Sequence, residues 1–442
     1  MTQTFAKPGA RVYDGLLKGY CMSLDLLRKD VASAVDAMRD ELLGLSHAIH
    51  GEPELSLQEF KSSARLADAV AGRDIAVTRE AFGLPTAYAA EFGKSEGPTV
   101  AILSEYDALP GIGHACGHNI IATAGYGAAM ALAKLGSRLP GKVRYLGTPA
   151  EERHGGKELM ARLGAFDAAD AAMMIHPSNM NLMTMPCIAV AEVEAIYHGK
   201  SAHASAMPYR GLNALDAVIS AYQAIAQLRQ HIRNTERIHG IITDGGMAPN
   251  IVPERAACRF FVRATDINDL GPLKARVQAC FEAGAIATGC RLELKWSGVD
   301  YLDLKTNWPM AEAFERHARA LGRDFFPTKD IPPGFAGSTD MGNVSHRVPS
   351  IHPMLAVAPA GVIIHNPEFT RWAASDKGDA AVIDGAKALA LTALELMADQ
   401  AMMSAVRADF EATAELSRLA VAKTGEKPPI HNHHAHAGCG CA

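Results

Sequence analysis

Three short strand-like runs, Thr99 to Ser104, Lys142 to Gly147 and Ala171 to Ile175, alternate with stretches of helical spacing. Strands separated by helices pair mostly in parallel, because each crossover helix returns the chain to the same end of the sheet. Their apolar character suits burial on both faces. The pattern therefore predicts an α/β fold with a mostly parallel sheet flanked by helices. In such sheets functional groups collect at the carboxyl ends of the strands. The polar motifs of this chain begin directly after Ser104, Gly147 and Ile175.

Upstream, Leu27, Val31, Val35, Met38, Leu42, Leu45 and Ile49 recur every three to four residues. That spacing predicts one amphipathic helix over 24–50, closed by Gly51 and Pro53. A second helix is expected over 58–70, β-type runs near 75–78 and 87–92, and helices over 119–135 and 156–163. After Pro186 the order changes to a strand at 188–197, a helix at 211–232, strands at 238–243 and 257–264, a helix at 270–287 and a strand at 291–296. This β-α-β-β-α-β order is ferredoxin-like and can fold as an inserted domain. A chain of 442 residues is too long for one ordinary core. The expected division is a larger α/β domain over 1–187 and 299–424, an inserted domain at 188–298 and a His- and Cys-rich tail at 425–442. The larger domain should finish with the Ala- and Leu-rich helix from Asp379 to about Ala401.

A formal net charge of -5, with both signs mixed along the chain, leaves no extended basic surface for phosphates. Nucleic acid is not an expected partner. The N-terminus lacks a secretory pattern and no segment offers about twenty uninterrupted apolar residues, so a cytoplasmic protein without membrane contact is expected. Eight scattered cysteines argue against a disulfide framework, and Cys21, Cys187, Cys258, Cys280 and Cys290 read as buried thiols. In the tail, His431, His433, His434, His436, Cys439 and Cys441 have two readings: a trap for transition metal, or a disordered end.

Four clusters bring ligand-type side chains to strand ends: SEYDALPGIGHACGH, GTPAEERHGG, MMIHPSNM and VIIHNPEF. The first joins Glu105, Asp107, His114, Cys116 and His118. A Cys and a His two residues apart in a loop can grip one ion, since thiolate and imidazole are borderline-soft donors. Glu151 and Glu152 are adjacent carboxylates between Pro149-Ala150 and Gly155-Gly156. Like charges so placed need a compensating cation if both stay ionised, and one can ligate metal while the other handles protons.

Together HACGH, PAEE, the IHP histidine, SAHAS and HNPEF resemble the amidohydrolase branch of the aminoacylase and carboxypeptidase metallopeptidase family. Within it the likeness is greatest to the group of aminobenzoyl-glutamate hydrolase and the β-alanyl-lysine type dipeptidases, through SEYDALPGIGHACGHN and GSTDMGNVSHRVPSIHP, over about His47 to Ala401. The resemblance implies that Cys116, His118, Glu152, His176 and His365 hold one or two divalent ions: zinc, manganese or cobalt. It further implies that Glu151 is the general base and later the acid, and that Asp107 orients a ligand from behind. The smaller domain would be a dimerisation lid, making the protein a homodimer or higher homo-oligomer. His203 would reach the neighbouring subunit's site and Asn250 would meet the substrate. One departure concerns GSTDM, where Thr339 and Met341 stand at positions that relatives cleaving acyl-amino acids fill with an acidic residue and then an aromatic one.

The reaction so implied is hydrolysis of the amide bond of an N-acyl, aminobenzoyl or aminoacyl amino acid, or of a dipeptide, by metal-activated water. Two other readings share the metal: an arylamine hydrolase that displaces ammonia, and a metal-handling protein without catalysis.

Overall fold

The computed structural model describes residues 10–331 and 336–428, with side chains from residue 24 onward. The six tail residues and the Cys21 side chain lie outside the described residues. The chain forms two compact units. Of the described residues, 10–185, 305–331 and 347–414 form one; 186–304, 336–346 and 415–428 form the other.

In chain order the strands are β1 (Val77–Arg79), β2 (Tyr88–Gly93), β3 (Thr99–Ser104), β4 (Lys142–Gly147), β5 (Ala171–Met173), β6 (His176–Ser178), β7 (Ala189–His198), β8 (Arg237–Asp244), β9 (Arg255–Ala264), β10 (Arg291–Trp296), β11 (Ser350–Ile351) and β12 (Met354–Ala356).

The first unit holds a six-stranded sheet ordered β1-β2-β4-β3-β5-β11. β4, β3, β5 and β11 pair in parallel, whereas β1 and β2 join antiparallel at one edge. The alternating pattern thus yields the expected mostly parallel α/β sheet, with an antiparallel edge that the pattern does not predict. Along β3 every residue but Thr99 is buried.

The helix His118–Ala133 is almost wholly enclosed, and its small residues explain how. A Cβ on Gly125 would meet the Leu103 carbonyl oxygen at 2.6 Å, and one on Gly127 would meet Ala386 Cβ at 3.0 Å. Backbone can therefore approach backbone, which seats this helix against β3 and the long helix Asp376–Ala398. Its first residue, His118, is held near the carboxyl end of β3.

Two expected elements are subdivided. The helix over 24–50 breaks at Met38, whose ψ of 4° leaves the helical region, giving Ala10–Ala37 and Arg39–Gly51. Val31, Val35, Met38, Leu42 and Ile49 are nevertheless all buried, so the apolar stripe runs through a break it does not record. The run Ala171 to Ile175 ends as a strand at Met173. His176 then opens β6, which pairs with β12 in a separate two-stranded sheet, in register Met354 to His176.

The second unit is an antiparallel sheet ordered β10-β7-β9-β8 with the helices Ala214–Leu228 and Ile267–Thr288. This is the ferredoxin-like connectivity. Val193, Tyr197, Phe260 and Phe281 fill its core. The first helix stops four residues short of the expected end and tightens into a 3-10 turn at Arg229–His231. Among the described residues no helix is long and apolar enough to cross a membrane.

Candidate metal centre

Gly117 decides the local geometry of the HACGH run. It adopts φ of 72°, and a Cβ there would lie 2.9 Å from Pro177 Cγ. Only glycine takes this conformation without strain, and it turns the chain sharply between Cys116 and the first helical residue, His118. Both flanking side chains are buried.

Three residues beyond β3, the Asp107 carboxylate accepts the Ser56 hydroxyl at 2.6 Å and the Glu152 N–H at 3.0 Å. Its other oxygen receives His118 Nδ1–H at 3.2 Å. His118 Nε2 is thereby left for the opposite side, 3.3 Å from Glu105 Oε1 and 3.8 Å from Glu152 Oε1. Burial works to raise Asp107, but the bond to His118 and its charge, together with the Ser56 and Glu152 donors, outweigh it and hold the carboxyl at about 2.

The turn after β4 carries Glu151 and Glu152. Ala150 stands at φ of 64°, a region non-glycine residues seldom occupy. His176 donates Nδ1–H to the Pro177 carbonyl at 2.6 Å, leaving Nε2 as its lone-pair nitrogen. His365, also left-handed at φ of 63°, is anchored by its N–H to the Ala115 carbonyl at 3.0 Å. Its Nε2 lies 3.7 Å from Glu152 Oε2, and its side chain remains 58% exposed.

These elements converge on one cluster. Ligand atoms lie within 4.8 Å of one another in each of three sets: Cys116, His118 and His176; Cys116, Glu152 and His365; and Glu105, His118 and Glu151. All five donors expected from the motifs are present, and Cys116 is common to the first two sets.

The pocket's charge favours a cation. Four carboxylates, Glu105, Asp107, Glu151 and Glu152, lie in or against it, and Lys157 Nζ meets Glu105 Oε2 at 2.5 Å with both side chains fully enclosed. Burial pushes the Cys116 thiol well up, and Glu152 adds to it. Burial likewise raises Glu152. Desolvation disfavours the charged His118, yet Glu105 and Asp107 more than offset this and raise it. His176 falls to about 4 through burial and then through His118, so it stays a neutral imidazole with a free lone pair. Glu105 Oε1, His118 Nε2 and Glu152 Oε1 are buried without a hydrogen-bond partner. Thiolate, imidazole and carboxylate donors with orphaned lone pairs fit a divalent cation, whose charge would reverse the upward shifts at Cys116 and Glu152.

His203 and Asn250 belong to the second unit, and both are exposed. His203 forms a bridge with Ile251, its Nδ1 accepts the Ala206 N–H at 3.2 Å, and the Asn250 carbonyl accepts the Ala204 N–H at 3.0 Å. Thr339 and Met341 of the GSTDM run are buried, with the Met341 N–H donating to Thr339 Oγ1 at 3.2 Å.

Residues 101–395 match peptidase family M20/M25/M40. The chain belongs to that family. The Xaa-Arg dipeptidase of Mus musculus is 38% identical to it over 409 residues, 90% of this chain and 95% of the relative. A p-aminobenzoyl-glutamate hydrolase component of Escherichia coli is 33% identical over 287 residues, 60% of either chain. A dinuclear metal binding peptidase from M20 family, of Bacillus subtilis, shares the fold with a TM-score of 0.61 at 21% identity, covering 82% of this chain and 99% of that one. This M20 family chain is a metal-dependent hydrolase of amide bonds. Neither arylamine hydrolysis nor a non-catalytic role in metal handling is favoured.

Three further buried groups stand near the M20 donor cluster, outside the set that the motifs single out. Lys157 reads from sequence only as a helix residue, and its pairing with Glu105 emerges in the fold. Glu59 sits in a QEF run that carries no ligand pattern, yet it reaches the Ala150 turn. His352 is fully buried with its ring 5.5 Å from that of His176, and neither of its nitrogens has a hydrogen-bond partner. A signal for it exists, since the tripeptide Ile-His-Pro occurs at 175–177 and again at 351–353, and β6 and β12 beside these runs pair with each other.

Proposed function

We propose that the chain cleaves the amide bond of a dipeptide or N-acyl amino acid, with dipeptides ending in arginine as its foremost substrates. The observation that carries this reading is the pair of donor triads sharing Cys116 beside Glu151. Cys116, His118 and His176 would hold one divalent ion, and Cys116, Glu152 and His365 a second; zinc, manganese or cobalt suits these donors. Such ions polarise a carbonyl and ease deprotonation of water. Glu151 would take the proton from the attacking water and deliver it to the leaving amine, a role worth about a hundredfold to ten-thousandfold. Asp107 holds His118 Nδ1 so that Nε2 faces the other donors. The choice of arginine dipeptides rests on the Xaa-Arg dipeptidase likeness, which spans nearly both chains, against 60% for the aminobenzoyl-glutamate relative.

The division expected from the sequence belongs to the same reading, with the ferredoxin-like part as a dimerisation lid. His203 would stabilise the developing oxyanion in the neighbouring subunit's site and Asn250 would touch the substrate. Their exposure on adjoining backbone in the second unit supports this. A cytoplasmic location is proposed with it; the five described cysteines are free thiols, as a reducing compartment would keep them.

The test is a release assay over Xaa-Arg dipeptides, β-alanyl dipeptides, N-acyl amino acids and p-aminobenzoyl-glutamate. Metal-free protein is supplied with zinc, manganese or cobalt, and Glu151→Gln serves as control. Release of free amino acid by wild type alone is expected. Failure on every amide with every ion, or ammonia released from an arylamine with no new amino acid, would overturn the reading. For the lid, mixed Glu151→Gln and His203→Ala protomers should regain activity after exchange, and none would regain it if the site were complete within one protomer.

A further inference from the structure

The turn bearing Glu151 and Glu152 starts at a strained residue, Ala150 at φ of 64°, and conformations of that kind persist only where the surroundings hold them. Two buried acids from separate segments do so. Asp107 accepts the Glu152 N–H at 3.0 Å and Glu59 accepts the Ala150 N–H at 2.9 Å. Glu59 has no exposed surface, and its second oxygen accepts the Thr86 hydroxyl at 2.8 Å.

The segment around Glu59 is itself docked onto the site. The Ser56 hydroxyl donates to Asp107, and the Ala108 N–H donates to the Glu54 carbonyl at 2.8 Å. Residues 54–59 therefore bind the Asp107 loop at one end and the Ala150 turn at the other. A buried acid is a costly acceptor for an amide, and burial, reinforced by Asp107, raises Glu59 to about 7. Yet an acid offers two oxygens to two donors from different segments, which an apolar side chain of similar size cannot.

We propose that Glu59 is a positioning residue of the hydrolytic site, locking the Ala150 turn so that Glu151 and Glu152 point into the donor cluster. The proposal rests on the reading of Glu151 as proton carrier. The connection is short, because the gripped amide belongs to the residue directly before the two working carboxylates. Displacements of about 1 Å at such a group typically cost about a hundredfold in rate.

The test compares kcat, KM and metal content for full-length wild type, Glu59→Ala, Glu59→Gln, Thr86→Val and Glu151→Gln. Turnover is expressed per folded, metal-loaded chain. Glu59→Ala should lose about tenfold to a hundredfold in kcat with KM within about threefold. Glu59→Gln keeps an oxygen for the Ala150 N–H and should stay within about threefold of wild type on both parameters. A role in folding alone would lower the melting temperature of both Glu59 variants and leave kcat per loaded chain unchanged. Wild-type kcat in Glu59→Ala beside an inactive Glu151→Gln overturns the proposal, whereas an active Glu151→Gln overturns the proton-carrier reading beneath it. Should Glu59→Ala not fold, Thr86→Val decides, because it frees one Glu59 oxygen without touching the turn. A kcat loss of about threefold or more supports the proposal, and an unchanged kcat overturns it.

Discussion

His118 Nδ1 stands 3.2 Å from Asp107 Oδ1, both groups buried, and this one contact selects which imidazole nitrogen is offered to the donor cluster. Hydrogen-bonded partners behind a metal-binding imidazole orient it and raise its basicity. Asp107→Asn is therefore expected to fold, to keep its stoichiometry at saturating metal and to weaken metal binding by about tenfold to a hundredfold. Competition against a chelator measures it. Unchanged affinity would show that His118 is oriented by something else.

Sharing of Cys116 between two triads has a countable consequence. Cys116→Ala should lose metal at both positions, whereas His176→Ala and His365→Ala should each retain about one ion per chain. Metal analysis after exhaustive dialysis separates these outcomes. Equal losses in all three variants would contradict the two-triad arrangement.

Gly117→Ala adds a methyl group 2.9 Å from Pro177 Cγ at a backbone angle disfavoured for alanine. Strain of this kind costs about 1–3 kcal/mol, and here it falls between two donors. A melting temperature lowered by several degrees, together with reduced metal content, is the expected result by calorimetry and metal analysis. A variant with wild-type values for both would show that the turn tolerates a side chain.

Glu395 joins His317 Nε2 at 2.7 Å and also meets Arg316 and Arg28. Burial tends to raise its carboxyl, but the His317 bond and the surrounding cations outweigh that and lower it. The unfolded chain then takes up the proton first as pH falls, so this stabilisation is full above about pH 4.5 and is lost below it. Glu395→Gln should destabilise by about 1–2 kcal/mol at pH 7, since its arginine partners are partly exposed and screened, with the difference shrinking towards pH 3. Paired denaturant titrations at the two pH values check it. A constant difference would remove the charge from the explanation.

Periodicity alone carried the architecture: the runs at 99–104 and 142–147 became β3 and β4 at the predicted bounds, and the β-α-β-β-α-β order of the insert survived in full. These features are local, written in the alternation of apolar and polar residues and in turn residues a few positions apart. The break at Met38 was hidden because both helices bury the same stripe. The antiparallel placement of β2 was hidden because strand direction depends on a partner, not on the strand's own residues.

The donor types were likewise legible, since HACGH, PAEE, IHP and HNPEF announce thiol, imidazole and carboxylate, although the expected strand before HNPEF is absent and His365 lies in the loop between β12 and the helix Pro367–Trp372. Their assembly was not. That Cys116 falls within ligand distance of two donor sets, that Lys157 pairs with Glu105 and that Glu59 grips the Ala150 amide from 91 residues away are facts of distance across the folded chain. Sequence determines which chemistry each short segment can offer, because side-chain type and backbone freedom are local properties. Only the tertiary structure decides which of those offers meet, because burial and angstrom-scale proximity arise when remote segments share one core.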